Sequence, residues 1–283
     1  MTKAKVFEET VKAYIESEKL YLPIFDPVAI RVQLELIKKD PDVRKIEKII
    51  IGDQSLTSNI LKVANSARFG GVVKTTTVRS AIVRLGTTEI GSIILLEMNR
   101  KHYRSHAPKI RVVMKKLWQH SVGCAFAAGW LSNRLDFGVM QNEAFFAGLF
   151  HDVGKLLILA VIERKVEQEQ KKEKSMKVNN TLLFGAMNLL HAEQGAKLME
   201  QLGLPEAPCL IAREHHLSTL DRDNYLLVLV RMANLVCHKM GIGIKIEKDL
   251  DLLGTEEADV LNLTAEDIEE LQLFLESTPS LAE

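Results

Sequence analysis

An all-α fold is predicted by three features of the sequence. Apolar residues recur at helical spacing along most of the chain, no stretch sustains the every-second-residue alternation of a half-buried strand, and helix start and stop residues punctuate the apolar segments. Asp40 followed by Pro41 reads as an N-cap with proline at the first helical position, after which Val43, Ile46 and Ile50 follow at helical spacing. A second helix is expected from Asp53-Gln54-Ser55, with Leu56, Ile60 and Ala64 on one face and its end near Gly70-Gly71. Shorter helical pieces follow at 77–85 and 87–99, and one long helix is expected over Lys109 to Arg134, carrying Trp118 and His120. Asn142 is expected to cap a helix that continues through His151 to about Lys174 and loses regularity in the mixed-charge stretch Glu163 to Lys177. Helices over 181–202, 206–217 and 223–240 are divided by Gly203-Leu204-Pro205 and by the polar turn Ser218 to Asp223. Thr264 with Asp267 makes a capping-box variant before a last, acidic helix. There is no internal repeat and no low-complexity linker, so the expected division is a helical part over 1–105, a larger helical part over 106–245 and an acidic helical tail over 246–283.

The chain has 283 residues, 47% hydrophobic and 26% charged, a composition that excludes disordered, collagenous and small disulfide-stapled classes. Cys124, Cys209 and Cys237 lie far apart among apolar neighbours with no CxxC spacing. They are expected to be buried thiols in a reducing, cytoplasmic compartment, and neither a disulfide framework nor a cysteine zinc knuckle is expected. The start, Met1-Thr2-Lys3-Ala4-Lys5, lacks the apolar core of a secretory signal, and the apolar stretch Ala144 to Ile162 is interrupted by His151, Asp152 and Lys155. No membrane association is expected.

A net charge of zero conceals an asymmetry. The 11 acidic residues after Lys248 face no basic ones there, so residues 1–248 carry 37 basic against 26 acidic residues, a net of +11. The excess is concentrated in Arg100, Lys101, Arg104, Lys109, Arg111, Lys115 and Lys116. Such a patch could hold an anionic ligand, nucleic acid or the acidic tail; the plainest reading is a solvated helix face partly neutralised by that tail. No aromatic interleaving or base-reading motif accompanies it, so nucleic acid is not the expected partner.

Eight histidines carry the chemistry that the sequence offers. His120, His151, His191, His215 and His216, together with Asp152, fall where several helices could converge, and imidazole with carboxylate suits zinc, iron or manganese, one carboxylate being able to bridge two ions. The adjacent pair His151-Asp152 points in two directions on a helix and carries little by itself. Lys155, three residues beyond Asp152, lies on nearly the same side, where its ammonium could reach a bound oxyanion. His191 reads equally as a satisfied histidine on a helix face. His215-His216, preceded by Glu214, must either be partnered if buried or lie in a wet surface turn. His102, His106 and His238 read as surface or locally hydrogen-bonded residues.

The order His120, His151-Asp152-Val153-Gly154-Lys155, His191 and His215-His216 resembles the metal-dependent HD superfamily of phosphohydrolases, in the arrangement shared by HDOD and HD-GYP proteins. Asn65-Ser66-Ala67-Arg68-Phe69 and Val78-x-x-Ala81-Ile82-x-x-Leu85-Gly86 resemble HDOD hallmarks, and with Trp118-x-His120-Ser121 and His191-x-x-x-Gly195-Ala196-x-Leu198 the resemblance covers about residues 20–240. It implies an HD-domain-like helical bundle with an additional N-terminal helical subdomain and one or two divalent transition-metal ions. It further implies a first metal site of His120, His151, Asp152 and position 234, and a second of Asp152, His191 and one or both of His215 and His216. Position 234 is Asn where HD enzymes carry aspartate, so the first site would lack a charge, and the Gly-Tyr-Pro segment of cyclic-dinucleotide phosphodiesterases is absent after His216. The resemblance implies a bacterial signal-transduction module acting through a signalling protein partner. Its alternative is an active phosphohydrolase on a nucleotide or other phosphoester, in which metal-activated water attacks phosphorus while Asp152 and Lys155 serve catalysis. Asn65, Ser66 and Phe69 would be structural.

Overall fold

The structure, a computed structural model, describes residues 3–17, 25–38, 40–66, 69–136, 138, 141–171 and 179–278. Among them the regular structure is helical, as the spacing of apolar residues predicts. Ala67-Arg68 of the Asn-Ser motif and residues 172–178 of the mixed-charge stretch lie outside the described residues.

The N-terminal part consists of α1 (Lys3–Ser17), α2 (Pro27–Leu36), α3 (Val43–Ile51), α4 (Gln54–Ala64) and α5 (Val78–Arg100). Two Asp-Pro pairs compete to start a helix there. The working one is Asp26-Pro27, where Asp26 Oδ1 accepts from Val28 N at 2.8 Å and Pro27 opens α2. Asp40 is not a cap: the cap of α3 is Asp42, whose Oδ1 accepts from Arg44 N at 3.0 Å and whose own N donates to Glu35 Oε1 at 3.0 Å. Anchoring Asp42 to α2 fixes where α3 begins, two residues later than the Asp-Pro pair alone suggests.

Leu56, Ile60 and Ala64 of α4 are buried as the spacing requires, but α4 ends at Ala64, ahead of the glycines. Asn65 is the reason. Its Nδ2 donates to Leu61 O and to Thr75 O, and its Oδ1 accepts from Thr75 N, each at 2.8 Å, so one amide closes α4 and clamps the returning loop. α5 opens on a Thr77–Ser80 capping box, and Gly86, at φ 78° and ψ 164°, breaks it internally at the point separating the two expected pieces.

After a 3₁₀ turn at Lys101–Tyr103 come α6 (Pro108–Arg134), α7 (Gln141–Phe150), α8 (Val153–Lys171), α9 (Asn180–Gln201), α10 (Glu206–Glu214) and α11 (Tyr225–Met240). The N-cap Ala107 offers α6 no side-chain cap; Glu163 from α8 instead holds the segment that leads into it, its Oε1 accepting from Ser105 Oγ, His106 N and Ala107 N. The helix expected to run unbroken through His151 is two helices, α7 and α8, and Asn142 sits inside the first turn of α7. An 18-residue window within residues 141–168 is apolar enough to cross a membrane, yet 89% of that window is buried in the core.

α6 is the central element, packing on α7, α8 and α11, while α9 lies between α8 and α10 and α1 folds back onto α8 and α9. One apolar core runs from Phe7 of α1 to Ala212 of α10, with Phe25 against Phe150 at 4.7 Å between ring centroids. A second joins α6, α7 and α11 to the tail helices α12 (Glu256–Val260) and α13 (Ala265–Glu276), the latter opened by the expected Thr264–Asp267 capping box. The acidic tail pairs with Arg134, Arg222 and Arg231 through Asp267, Glu256, Asp259 and Glu257. Neutralisation of the Arg100–Lys116 patch is therefore not where these carboxylates go.

Candidate metal centre

The break between α7 and α8 places His151 and Asp152 at a helix junction, both 1% exposed. His151 Nδ1 donates back to Gly148 O at 2.8 Å, which holds the ring at the end of α7. Gly154, in the next turn, touches α9: a Cβ there would overlap the His191 carbonyl oxygen, and Gly195 meets Gly154 from the other side. The glycine pair lets the two backbones approach closely enough to bring His191 onto Asp152.

Around Asp152 the imidazoles share one orientation. Nδ1 faces a backbone carbonyl in His120 (Ile242 O, 3.2 Å), His191 (Met187 O, 2.7 Å) and His215 (Ala212 O, 3.0 Å), as it does in His151. A carbonyl can only accept, so each Nδ1 carries the proton and each Nε2 presents a lone pair. Those lone pairs converge on the carboxylate. His120 Nε2 and His151 Nε2 are each 3.5 Å from Asp152 Oδ2, while His191 Nε2 and His215 Nε2 are each 3.4 Å from Oδ1 and 3.3 Å from one another. Acceptors facing acceptors repel unless a cation lies between them. His151 Nε2 and Asp152 Oδ1 are indeed buried without a hydrogen-bond partner.

The separations have a metric meaning. Ligands at about 2.0–2.1 Å from one tetrahedral ion are about 3.4 Å apart, so both sets are spaced as edges of a coordination polyhedron. The residues present therefore fit a divalent ion on either oxygen of Asp152: His120 and His151 on Oδ2, His191 and His215 on Oδ1, with His216 in reach of the second set. Burial pushes the histidines toward the neutral form that ligates, His191 to about 4 and His216 to about 3, with His120 lowered and His151 held well below its ordinary value. Burial alone would raise the Asp152 carboxyl; the Lys155 ammonium beside it holds it well below the usual carboxylate range.

The sites open into a cavity of about 330 Å³ lined by Asp152, Lys155, His191, His216, His238 and Lys245 among others. A second, shallower groove of about 700 Å³ adjoins it, sharing Phe184 and Ile244 and reaching the exposed Lys109 and Lys116 of the basic patch. Lys155, whose ammonium could reach a bound oxyanion, lines this cavity and lies 2.6 Å from Asp152 Oδ2. Asn234 is buried on α11, one turn before His238. His238, expected to be a surface or locally hydrogen-bonded residue, is 6% exposed, has a buried Nδ1 without a hydrogen-bond partner and stacks on His120 at 5.5 Å and 12°. His102 and His106 lie outside the histidine cluster.

Sequence reasoning missed three further residues: Cys124, Cys237 and His238 surround His120, whose ring nitrogen lies within 4.8 Å of both sulfurs. The four-residue spacing from His120 to Cys124 and the adjacency of Cys237 to His238 are readable signals, but only the packing of α6 on α11 brings them together.

The chain matches the HDOD domain family over residues 22–218. It is 22% identical over 217 residues to an uncharacterised protein of Treponema pallidum (strain Nichols), covering 76% of this chain and 42% of that one, so it spans less than half of that relative's length. Among solved structures it resembles an HDOD domain protein of Geobacter sulfurreducens with a TM-score of 0.72 and 19% identity, covering 99% of this chain and 97% of the other. It also resembles a Shewanella amazonensis SB2B protein described provisionally as a metal-dependent phosphohydrolase, with a TM-score of 0.65, 20% identity and coverage of 99% and 96%. A Marinobacter aquaeolei VT8 protein described provisionally as a signal transduction protein aligns with a TM-score of 0.70 and 17% identity, over 99% of this chain and 65% of that one. These likenesses establish a shared helical architecture, and the family match over most of the chain establishes membership: the chain belongs to the HDOD domain family.

Proposed function

We propose that this chain is a regulatory module of bacterial signal transduction that binds a phosphate-bearing ligand at a metal centre built on Asp152 and passes that binding on to a protein partner. The observation that carries the metal centre is the convergence of unprotonated Nε2 atoms on both oxygens of one buried carboxylate. One or two ions of iron, manganese or zinc would supply Lewis-acid polarisation of a phosphoryl oxygen. The chain's own residues would do the rest. Lys155 and Lys245 give the cavity a cationic lining suited to phosphate, and the groove toward Lys109 and Lys116 suits a ligand longer than phosphate itself.

One observation favours binding over turnover: Asn234 supplies no negative charge where HD enzymes carry a carboxylate. The second reading, phosphoester hydrolysis, is favoured by the provision for an ion on each oxygen of Asp152, with Lys155 moving to the phosphoryl group. Manganese-loaded protein assayed with inorganic phosphate by calorimetry and with an aryl phosphodiester for turnover separates the two. Binding without turnover supports the regulatory reading. Turnover that disappears in folded His151→Ala establishes hydrolysis instead.

A further inference from the structure

His120 stands at a partition. On one side it lines the cavity together with Asp152, and on the other it meets Cys124 and Cys237, neither of which lines that cavity. All three residues are buried, the cysteines completely. Cys124 is one turn beyond His120 on α6 and Cys237 comes from α11, so the packing of these two helices closes the group. The His120 nitrogen and the two sulfurs lie within 4.8 Å of one another, and among the described residues no carboxylate belongs to this set.

The one lone pair of His120 decides what the group can do. Nδ1 gives its proton to the Ile242 carbonyl at 3.2 Å, which leaves Nε2, 3.6 Å from Cys124 Sγ and 3.5 Å from Asp152 Oδ2. Without an ion, the Cys124 thiol donates to that lone pair. An ion of zinc's size, with nitrogen at about 2.0–2.1 Å and sulfur at about 2.3 Å, holds those two atoms about 3.6 Å apart. His120 and Cys124 already stand at that separation, and Cys237 has a single side-chain torsion to adjust. Thiolates select soft ions, among which zinc almost always completes four ligands. Three donors on the far side of His120 from the cavity, and so away from water that would complete a tetrahedron, suit monovalent copper, for which three ligands suffice.

We infer that Cys124, Cys237 and His120 form a soft-metal site of their own, a three-coordinate site for copper(I) that leaves Asp152 outside its ligand set. Binding displaces the two thiol protons and leaves two thiolates and a neutral imidazole on the ion. The site differs from the Asp152 centre in its sulfur donors and is joined to it through His120. One lone pair serves one ion at a time, so copper and an ion on Asp152 Oδ2 exclude each other, while His191 and His215 keep theirs on Oδ1. This exclusion rests on the metal-centre reading of the histidine cluster; the copper site itself does not.

Anaerobic titration of the metal-stripped full chain with copper(I) bicinchoninate tests the site, because transfer of copper to the protein bleaches the probe. One equivalent is expected to pass to the wild type and to Cys209→Ser, whose sulfur lies against the Leu204 carbonyl. Affinity is expected to fall about a hundredfold or more in Cys124→Ser and in Cys237→Ser, since losing a ligand costs at least what losing a ligand's support does. Unchanged affinity in either variant overturns the proposal. Should these variants not fold, copper-edge X-ray absorption of the wild type decides alone: two sulfur neighbours and one nitrogen support the site, and a shell without sulfur overturns it. The exclusion is read separately, by adding one equivalent of copper(I) to the manganese-loaded wild type. Release of one manganese of two supports the shared lone pair, and retention of both overturns it. Sulfur-bound copper in a chain that takes up no manganese overturns the Asp152 centre and leaves the copper site standing.

Discussion

Asn65 shows how much one side chain can fix. Three hydrogen bonds to the backbone of Leu61 and Thr75 leave it no role at the metal centre, so Asn65→Ala is expected to destabilise the protein by about 1–3 kcal/mol while leaving metal content unchanged. A urea melt together with metal analysis checks both halves, and loss of metal without loss of stability would contradict the structural role. The buried histidines make a second residue-scale prediction. His191 and His238 are held neutral down to about 4, whereas the unfolded chain takes up protons near 6.5. Between those values the unfolded state binds more protons, so stability of the metal-stripped protein must fall as pH falls from about 6.5 toward 4. Each such histidine contributes up to roughly 2 kcal/mol of that loss by pH 5. Urea midpoints at pH 7 and pH 5 measure it, and a midpoint insensitive to this interval would contradict the neutral, buried state of these rings.

Helix elements were largely legible where the signal was local. The face Leu56, Ile60, Ala64, the Thr264–Asp267 box and the glycine break at 86 are set by neighbours within one or two turns, and they are found where spacing puts them. The misplacements came from longer-range contacts. Asp42 rather than Asp40 caps α3 because Glu35 of the preceding helix holds its N–H, and Glu163 fixes the entry to α6 from 56 residues away. Nor does periodicity reveal that the apolar stretch around His151 is cut in two, since α7 and α8 are buried on most sides and show little contrast between faces. The crossing of α8 with α9 can be tested through Gly154. Gly154→Ala forces a methyl into the His191 carbonyl, and a cost of about 1–3 kcal/mol or more is expected together with weakened metal binding, because His191 moves with the backbone it clashes with. Unchanged metal affinity in a destabilised Gly154→Ala protein would show that the crossing does not position His191.

At the scale of the whole molecule, the sequence order of the histidines was enough to suggest which residues meet, and the structure brings His120, His151, His191, His215 and His216 to Asp152 from α6, the α7–α8 junction, α9 and the end of α10. What the order could not show is direction: which nitrogen of each ring faces inward, and that Cys124, Cys237 and His238 close around His120. The first is set by carbonyls three or four residues earlier for His151, His191 and His215, and the second by the packing of α6 on α11, elements separated by about a hundred residues. Charge is also organised at this scale. The acidic tail is occupied by arginines at 134, 222 and 231, and the groove beside Lys109 and Lys116 joins the metal cavity.

The central claim is that Asp152 is shared between two metal sites. Metal content by mass spectrometry on protein purified without a histidine tag, for the wild type, His191→Ala and Asp152→Ala, tests it most directly. Near two equivalents in the wild type, one in folded His191→Ala and none in folded Asp152→Ala is the predicted pattern. Two equivalents retained by Asp152→Ala, or no metal in the wild type after anaerobic reconstitution, would contradict it.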